Sequence, residues 1–208
     1  SCASGPKPQW LMPTPVMYLD GKVHPFAHLP TADKRTDLRV FYTPNRKPDG
    51  DHYGNEVNSV LRFGTATIAL GEETDSWETL VDASTEHPRP RPMPVRLVKS
   101  EELGTDEDEA VIRRWASEVD RAVRRTATRD VVIYVHGAKV GFLHACSFAA
   151  EVDHFAGRDF TPVAFDWPPH QEIFSYVDGV DVDHARRSSS RLPSPSPAWP
   201  PLPPVPAP

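Results

Sequence analysis

Two dipeptides in this 208-residue chain stand where side chains could act on a ligand: His136-Gly137 and Asp166-Trp167. Each closes a short apolar run, Val131-Val132-Ile133-Tyr134-Val135 in the first case and Pro162-Val163-Ala164-Phe165 in the second. A segment of helical periodicity, Phe142 to Phe155, lies between the runs. Strand, tight loop, helix, strand is one parallel crossover unit. In such sheets a ligand binds beyond the carboxyl ends of the strands. The order therefore predicts that His136-Gly137 and Asp166-Trp167 share one edge of a sheet.

Other reactive side chains are less well placed. Cys146 falls among Phe142, Ala145, Ala149 and Ala150 on the helical stretch. It reads there as a small packed apolar group, since burial raises a thiol pKa and keeps the thiolate away. His144 and His154 are ten residues apart, not the four that puts two histidines on one helix face for a metal. The two cysteines, Cys2 and Cys146, make neither a disulfide framework nor a metal cluster. No metal and no cofactor is expected.

The elements that must position the two dipeptides follow from pattern. Residues 10–37 carry Pro13, Pro15, Pro25 and Pro30 and read as an extended lead-in. Leu38 to Thr43 alternates like a strand that Pro44-Asn45-Arg46 ends, and loops are expected at Asp49-Gly50 and Tyr53-Gly54-Asn55. Leu61 to Leu70 is a second strand, with a bulge or close approach at Gly64. Trp77 to Pro94 is rich in Pro and His and reads as loop, and Val95 to Val98 as a third strand. Acidic residues 106–109 suit the positive end of a helix dipole. Val111, Trp115, Val119 and Val123 then mark one face of that helix, with Arg113, Arg114, Arg124 and Arg125 on a solvated face. The run Val131–Val135 has the apolar character of a strand covered on both faces.

Composition bounds the rest. The length suits one domain with appendages. Hydrophobic content is 38%, and there are 24 prolines, nine of them among residues 193–208. Proline at that density removes amide donors and forbids helix and central strand, so residues 193–208 read as an extended, disordered tail. A net charge of −6 offers no general basic surface for nucleic acid. No apolar run approaches the roughly 18 residues needed to cross a bilayer.

The chain opens Ser1-Cys2 with a polar, Pro-containing stretch behind it. This resembles a bacterial lipoprotein near its processed end. The resemblance implies an acyl anchor on Cys2 and a flexible tether from Ala3 to Gln9 holding a domain at the cell envelope. The competing reading is an arbitrary start beside an irrelevant cysteine, with a cytoplasmic protein.

Tyr134-Val135-His136-Gly137, the helix from Phe142, and Val163-Ala164-Phe165-Asp166-Trp167-Pro168 together resemble the α/β-hydrolase fold. Within it they are similar to a bacterial family of uncharacterised, esterase- or lipase-like serine hydrolases. Val40 to Arg46, Phe63 to Ile68, and Ser175-Tyr176 with Asp178 fit the same family, so the likeness covers roughly residues 38–192. It implies an α/β class with a mostly parallel sheet and flanking helices, and a small ester-like substrate. It makes the turn His136, Gly137, Ala138, Lys139 the oxyanion loop, in which the N–H of Ala138 or Lys139 faces the substrate. His136 is then a loop-shaping residue and not the catalytic base, while Asp166 and Trp167 lie at the site edge. The family usually has an aromatic residue and then Asn where Ala138-Lys139 stand here.

Ester hydrolysis by a serine enzyme also needs a nucleophile on a Gly-x-Ser-x-Gly elbow, and these 208 residues contain none. Ser188-Ser189-Ser190 has no flanking glycines, and His184 four residues before Ser188 has no further partner in view. No catalytic residue is therefore assigned. The expected organisation is a lead-in (1–37), an incomplete hydrolase domain (38–192) and a Pro-rich tail (193–208), the change at Leu192 being that of a frameshift or truncation. Such a chain is expected to be inactive alone, and its open sheet edge predicts self-association. The alternative is a non-catalytic binding or tethering protein whose Pro200-Pro201-Leu202-Pro203-Pro204 offers a ligand to an SH3-like domain.

Overall fold

The computed structural model describes residues 8–50, 52–137 and 140–168. A central sheet is built from β1 (Gln9–Trp10), β2 (Asp37–Pro44), β5 (Arg62–Leu70), β6 (Pro94–Thr105), β7 (Asp130–Val135) and β8 (Phe160–Asp166). A separate hairpin pairs β3 (Arg46–Asp49) with β4 (His52–Val57). Three α-helices, α1 (Trp77–Thr85), α2 (Glu109–Val123) and α3 (Phe142–Phe155), and two short 3-10 turns, Val16–Tyr18 and Thr31–Asp33, complete the described elements.

The sheet order is β1-β6-β5-β2-β8-β7. β2–β8 and β8–β7 pair in parallel, with Phe41 opposite Val163 and Ile133 opposite Val163 on the other side. β1–β6, β6–β5 and β5–β2 are antiparallel. The expectation of a mostly parallel sheet is thus corrected to a mixed one. An intervening helix does not by itself set direction: β5 and β6 are antiparallel with α1 between them, whereas β7 and β8, joined through α3, are parallel.

Helices pack on both faces of the central strands. On one face, Val40, Tyr42 and Ile68 pack with Leu80 of α1 and with Cys146, Ala149 and Ala150 of α3. Alanines at the contact let α3 lie close, and the apolar burial holds the layer. On the other face, Phe41, Phe63, Val163 and Phe165 pack with Trp115 and Val119 of α2. α2 begins as expected, with Asp108 Oδ1 accepting the Ala110 N–H at 2.8 Å as N-cap. Its arginines pair along the helix, Arg113 with Glu109, Arg114 with Glu118 and Arg124 with Asp120.

The bulge at Gly64 is present: the β5–β6 register shifts between Phe63 and Gly64. Gly64 faces Tyr42 across the pair, and a Cβ there would collide with the Tyr42 ring and lie 2.5 Å from the Glu101 carbonyl. Trp115 Nε1–H donates to the Gly64 carbonyl at 3.1 Å, so the irregular backbone has a partner.

Three expectations change. Trp77–Thr85 is a helix, not loop: Ser76 Oγ accepts the Thr79 N–H at 3.2 Å and caps it, and Leu80 is fully buried. Tyr53-Gly54-Asn55 is strand, because it pairs back on β3. β7 is not covered on both faces. It forms the rim of the sheet among the described residues, and Ile133 and Val135 are about half exposed, at 49% and 48%. An apolar run reports what covers a strand in the whole fold, and no described residue lies on the outer side of β7.

The lead-in is docked along part of its length. Gln9, expected in a flexible tether, is buried and pairs with Val95. Its amide donates to Glu151 at 3.3 Å, and the Met12 N–H donates to the same carboxylate at 2.6 Å. Arg89 holds the next carbonyls, those of Leu11 and Met12, at 2.8 and 2.6 Å. Cys2, residues 169–192 and the tail 193–208 lie outside the described residues.

Candidate functional site

Three chain segments meet at the carboxyl ends of the parallel strands. β7 delivers His136, β8 delivers Asp166 and Trp167, and β2 runs on into Asn45 and Arg46. The parallel register places them together, since Val135 is opposite Phe165 and Pro44 opposite Asp166. Asn45 N–H donates to the Asp166 carbonyl at 3.1 Å, which extends that pairing by one residue.

Arg46, His136 and Asp166 form a buried polar cluster. Arg46 and Asp166 have no solvent exposure. Arg46 Nη2 lies 2.6 Å from Asp166 Oδ1 and 2.6 Å from the Val140 carbonyl oxygen. Its Nη1 reaches the Gly54 carbonyl at 3.4 Å and Asn55 Oδ1 at 3.3 Å on the hairpin. Burial lowers the proton affinity of the Arg46 guanidinium, and the Asp166 charge opposes that shift. Such a pair is costly to assemble and more costly to break, because the surviving charge is left desolvated.

The histidine is engaged on both sides. His136 Nδ1 lies 2.7 Å from the Gly137 carbonyl, which only accepts, so Nδ1 carries a proton. Nε2 accepts the Trp167 backbone N–H at 3.1 Å and faces Arg46 Nη2 at 3.3 Å. Asp166 Oδ1 lies 2.8 Å from the same nitrogen. The two hydrogens of Arg46 Nη2 go to Asp166 Oδ1 and the Val140 carbonyl, each at 2.6 Å, so its 3.3 Å approach to Nε2 is a close contact within the cluster. The Trp167 indole stacks on the imidazole with centroids 5.3 Å apart, and its Nε1–H donates to the His136 carbonyl at 2.8 Å. His136 is 3% exposed, so neither ring nitrogen is free to meet a substrate.

Gly137 is exposed, and no atom lies within 4 Å of where its Cβ would be. Ala138 and Lys139 lie outside the described residues. Asp166 and Trp167 stand behind the turn, buried, and do not line an open edge. The arrangement fixes His136 at the end of its strand, and among the described residues it presents no nucleophile beside it.

A serine–histidine pair does occur elsewhere, between Ser84 Oγ and His154 Nε2 at 2.8 Å. It is unsuited to proton abstraction. His154 Nδ1 accepts from Arg158 Nε at 3.3 Å, so its Nε2 carries the proton and donates to Ser84, whose own hydroxyl donates to the Leu80 carbonyl at 2.7 Å. Both residues are fully buried, and burial drives His154 well below the usual histidine range. Cys146 is fully buried with its thiol pushed up, again by burial. Among the described residues no group of three or more His, Cys, Asp and Glu side chains could hold a metal. A groove of about 610 Å³ at the opposite ends of the strands is lined by polar and apolar side chains, among them the contacting pairs Arg35 and Asp37, Arg39 and Glu118, and His28 and Asp159.

Arg46 is the site residue that the sequence reading missed as chemistry, since it enters there only as the end of a strand. No spacing rule marks an arginine after a turn as buried.

Residues 113–193 match the model of a family described as alpha/beta hydrolase of unknown function (DUF900). That match supports an α/β-hydrolase superfamily relationship for the stretch that contains β7, α3 and β8. The upstream strands β2 and β5, which the sequence likeness also includes, lie outside it. Searches of curated proteins and of solved structures gave no match.

Proposed function

We propose that this chain carries the oxyanion side of a serine-hydrolase-type site, acting on small carboxylic esters, and that the 208 residues alone do not turn esters over. The observation that supports the reading is the anchored turn. A glycine with open space around it follows His136 at the end of a parallel strand, and both rings of the His136–Trp167 stack hold its start. Backbone N–H groups fixed in that way stabilise a developing oxyanion without reorganising at the moment of reaction. His136 acts by shaping the turn. The donor is the N–H of Ala138 or Lys139. The absence of a Gly-x-Ser-x-Gly segment from the 208 residues removes the nucleophile and predicts silence.

Two measurements test this. Methylphosphonate has the charge and tetrahedral shape of an acyl-transfer intermediate, and titrating it should move the amide resonances of Gly137, Lys139 and Gly141 before others. Saturable shifts elsewhere with those three unmoved would sink the oxyanion reading. A fluorophosphonate probe should leave the chain unlabelled; covalent labelling of any serine would overturn the claim of silence.

A further inference from the structure

We infer that the groove at the starts of the parallel strands is a binding site for a small organic anion, whose carboxylate or phosphate group is held by Arg121 and Arg125 beside the Thr161 hydroxyl. These residues come from two elements that face each other. Thr161 lies near the start of β8 and shares the sheet face of Val163 and Phe165, which pack on Trp115 and Val119 of α2. Arg121 lies in the last turn of α2, and Arg125 follows four residues on, where its N–H closes the helix end on the Ala122 carbonyl. Neither arginine has an ion-pair partner among the described residues. The charges around them are already engaged: Glu118 holds both Arg39 and Arg114, and Arg124 pairs with Asp120. An arginine in a last turn also suits the negative end of a helix. That interaction selects a position along the axis and not a side, yet Arg121 and Arg125 line the groove while Arg124 and Asp120 do not. The carbonyls of Asp120, Ala122 and Val123 at this end already accept the N–H groups of residues 124–126, at 2.9 to 3.2 Å.

The buried hydroxyl is an independent observation. Thr161 lines the groove and is 2% exposed, and its Oγ1 has no hydrogen-bond partner among the described residues. A buried hydroxyl without a partner destabilises a fold, and a valine of the same shape would avoid that. Charge favours the same class of ligand. Arg121, Arg125 and Arg158 line the groove without an ion pair, against only Asp33 and Asp153, and burial pushes Asp153 up to about 7. Guanidinium forks take a carboxylate or a phosphate bidentately. The volume of about 610 Å³ suits a small molecule and far exceeds a bare ion, and Phe41, Ala122 and Pro162 supply apolar wall. A short amphiphile with one oxyanion head meets all of these conditions. The groove lies at the other strand ends from His136, so the inference stands apart from the ester reading.

The test titrates the full chain with hexanoate and with hexyl phosphate, followed by amide resonances. Saturable shifts are expected first at residues 121–126 and at Thr161, and the tighter of the two probes names the oxyanion head. Arg121→Gln with Arg125→Gln should weaken binding by about tenfold, the scale of a lost charged hydrogen bond, and leave the melting temperature unchanged because both side chains are exposed. Thr161→Val keeps the side-chain shape and should weaken binding by roughly threefold, the scale of one neutral hydrogen bond. Hexanol and inorganic phosphate should each bind about tenfold more weakly than the probe that shares their tail or head. Hexanol binding as tightly as hexanoate would reduce the groove to an apolar cleft and overturn the anion assignment. Inorganic phosphate binding as tightly as hexyl phosphate would overturn the organic one. No saturable shift at these residues in the folded wild type, or full affinity in the double arginine variant, would overturn the site itself.

Discussion

Lowering the pH from 7 to 5 should stabilise this protein, which is unusual for an acidic chain and follows from two buried carboxyls. Glu151 is fully buried beneath the lead-in, accepting the Met12 N–H and the Gln9 amide with Arg89 nearby. Asp153 is buried beside Arg158 and Asp159 and accepts the Phe160 N–H. Burial pushes each up to about 7, and the hydrogen bonds and nearby cations only partly offset it. Unfolded, both return to about 4. The folded state therefore binds more protons between these values, and stability falls as pH rises through them. His154 works the other way: its folded value lies well below the unfolded value of about 6.5, so it costs stability as pH drops through 6.5. Two protons gained against one lost leaves a net of about one, or about 1.4 kcal/mol per pH unit. From pH 7 to 5 the gain is about 2 to 3 kcal/mol. Below 5 the trend should stop, since exposed carboxylates such as Glu101, held low by Lys99, lose their pairing there. Urea unfolding followed by tryptophan fluorescence at pH 5, 6, 7 and 8 measures the gradient. Glu151→Gln keeps the acceptor for Met12 and removes one titrating group, so its stability should be nearly flat from pH 7 to 5. A wild type that loses stability over that interval, or a Glu151→Gln variant with an undiminished slope, would refute the reasoning.

Two further outcomes are expected. Gly64→Ala should cost about 3 kcal/mol, at the upper end for an overpacked site, because the new methyl meets the Tyr42 ring and the Glu101 backbone, and chemical denaturation reads it directly; a loss under 1 kcal/mol would show that the bulge relaxes easily. In a Cys2→Ser background Cys146 should be silent to a thiol reagent under native conditions and react fully once unfolded, whereas rapid native reaction would mean that α3 opens locally.

Regular periodicity was the legible part of the fold. Phe142–Phe155 is a helix at the residues its alanines and cysteine suggest, and the four-residue spacing of Val111, Trp115 and Val119 identifies the buried side of α2. Gly64 within an apolar strand correctly signals a bulge, because only glycine leaves room for the Tyr42 ring opposite. Trp77–Thr85 was illegible because the prolines after it, Pro88 to Pro94, dominate any composition window, while a single serine cap and one buried leucine define the helix. Parallel and antiparallel pairing was also hidden in the first half. Strand patterns there give existence but not direction, and the β5–β6 connection, which contains α1, still returns an antiparallel strand.

The site was legible in two of its three strands. His136-Gly137 and Asp166-Trp167 end their runs at the same height, so their meeting follows from a parallel register that the intervening helix allows. Arg46 could not be found in the same way. Its burial depends on a hairpin whose turn begins three residues later, and on the far end of a loop ninety-odd positions along the chain, at Val140. A charged residue at a strand end is a solvated terminator unless something distant takes up its charge. Here Asp166 does so, and the price of burying the pair is offset only as far as its polar atoms find partners, which Arg46 Nε and Asp166 Oδ2 do not among the described residues. That condition explains why a cluster of such residues can be more informative than a motif: a motif states which atoms could meet, whereas a fully buried arginine with four partners states which ones are held. If the turn at His136 had no task, an apolar residue at position 46 would hold the strands together as well, and Arg46 would be the harder solution to an easier problem.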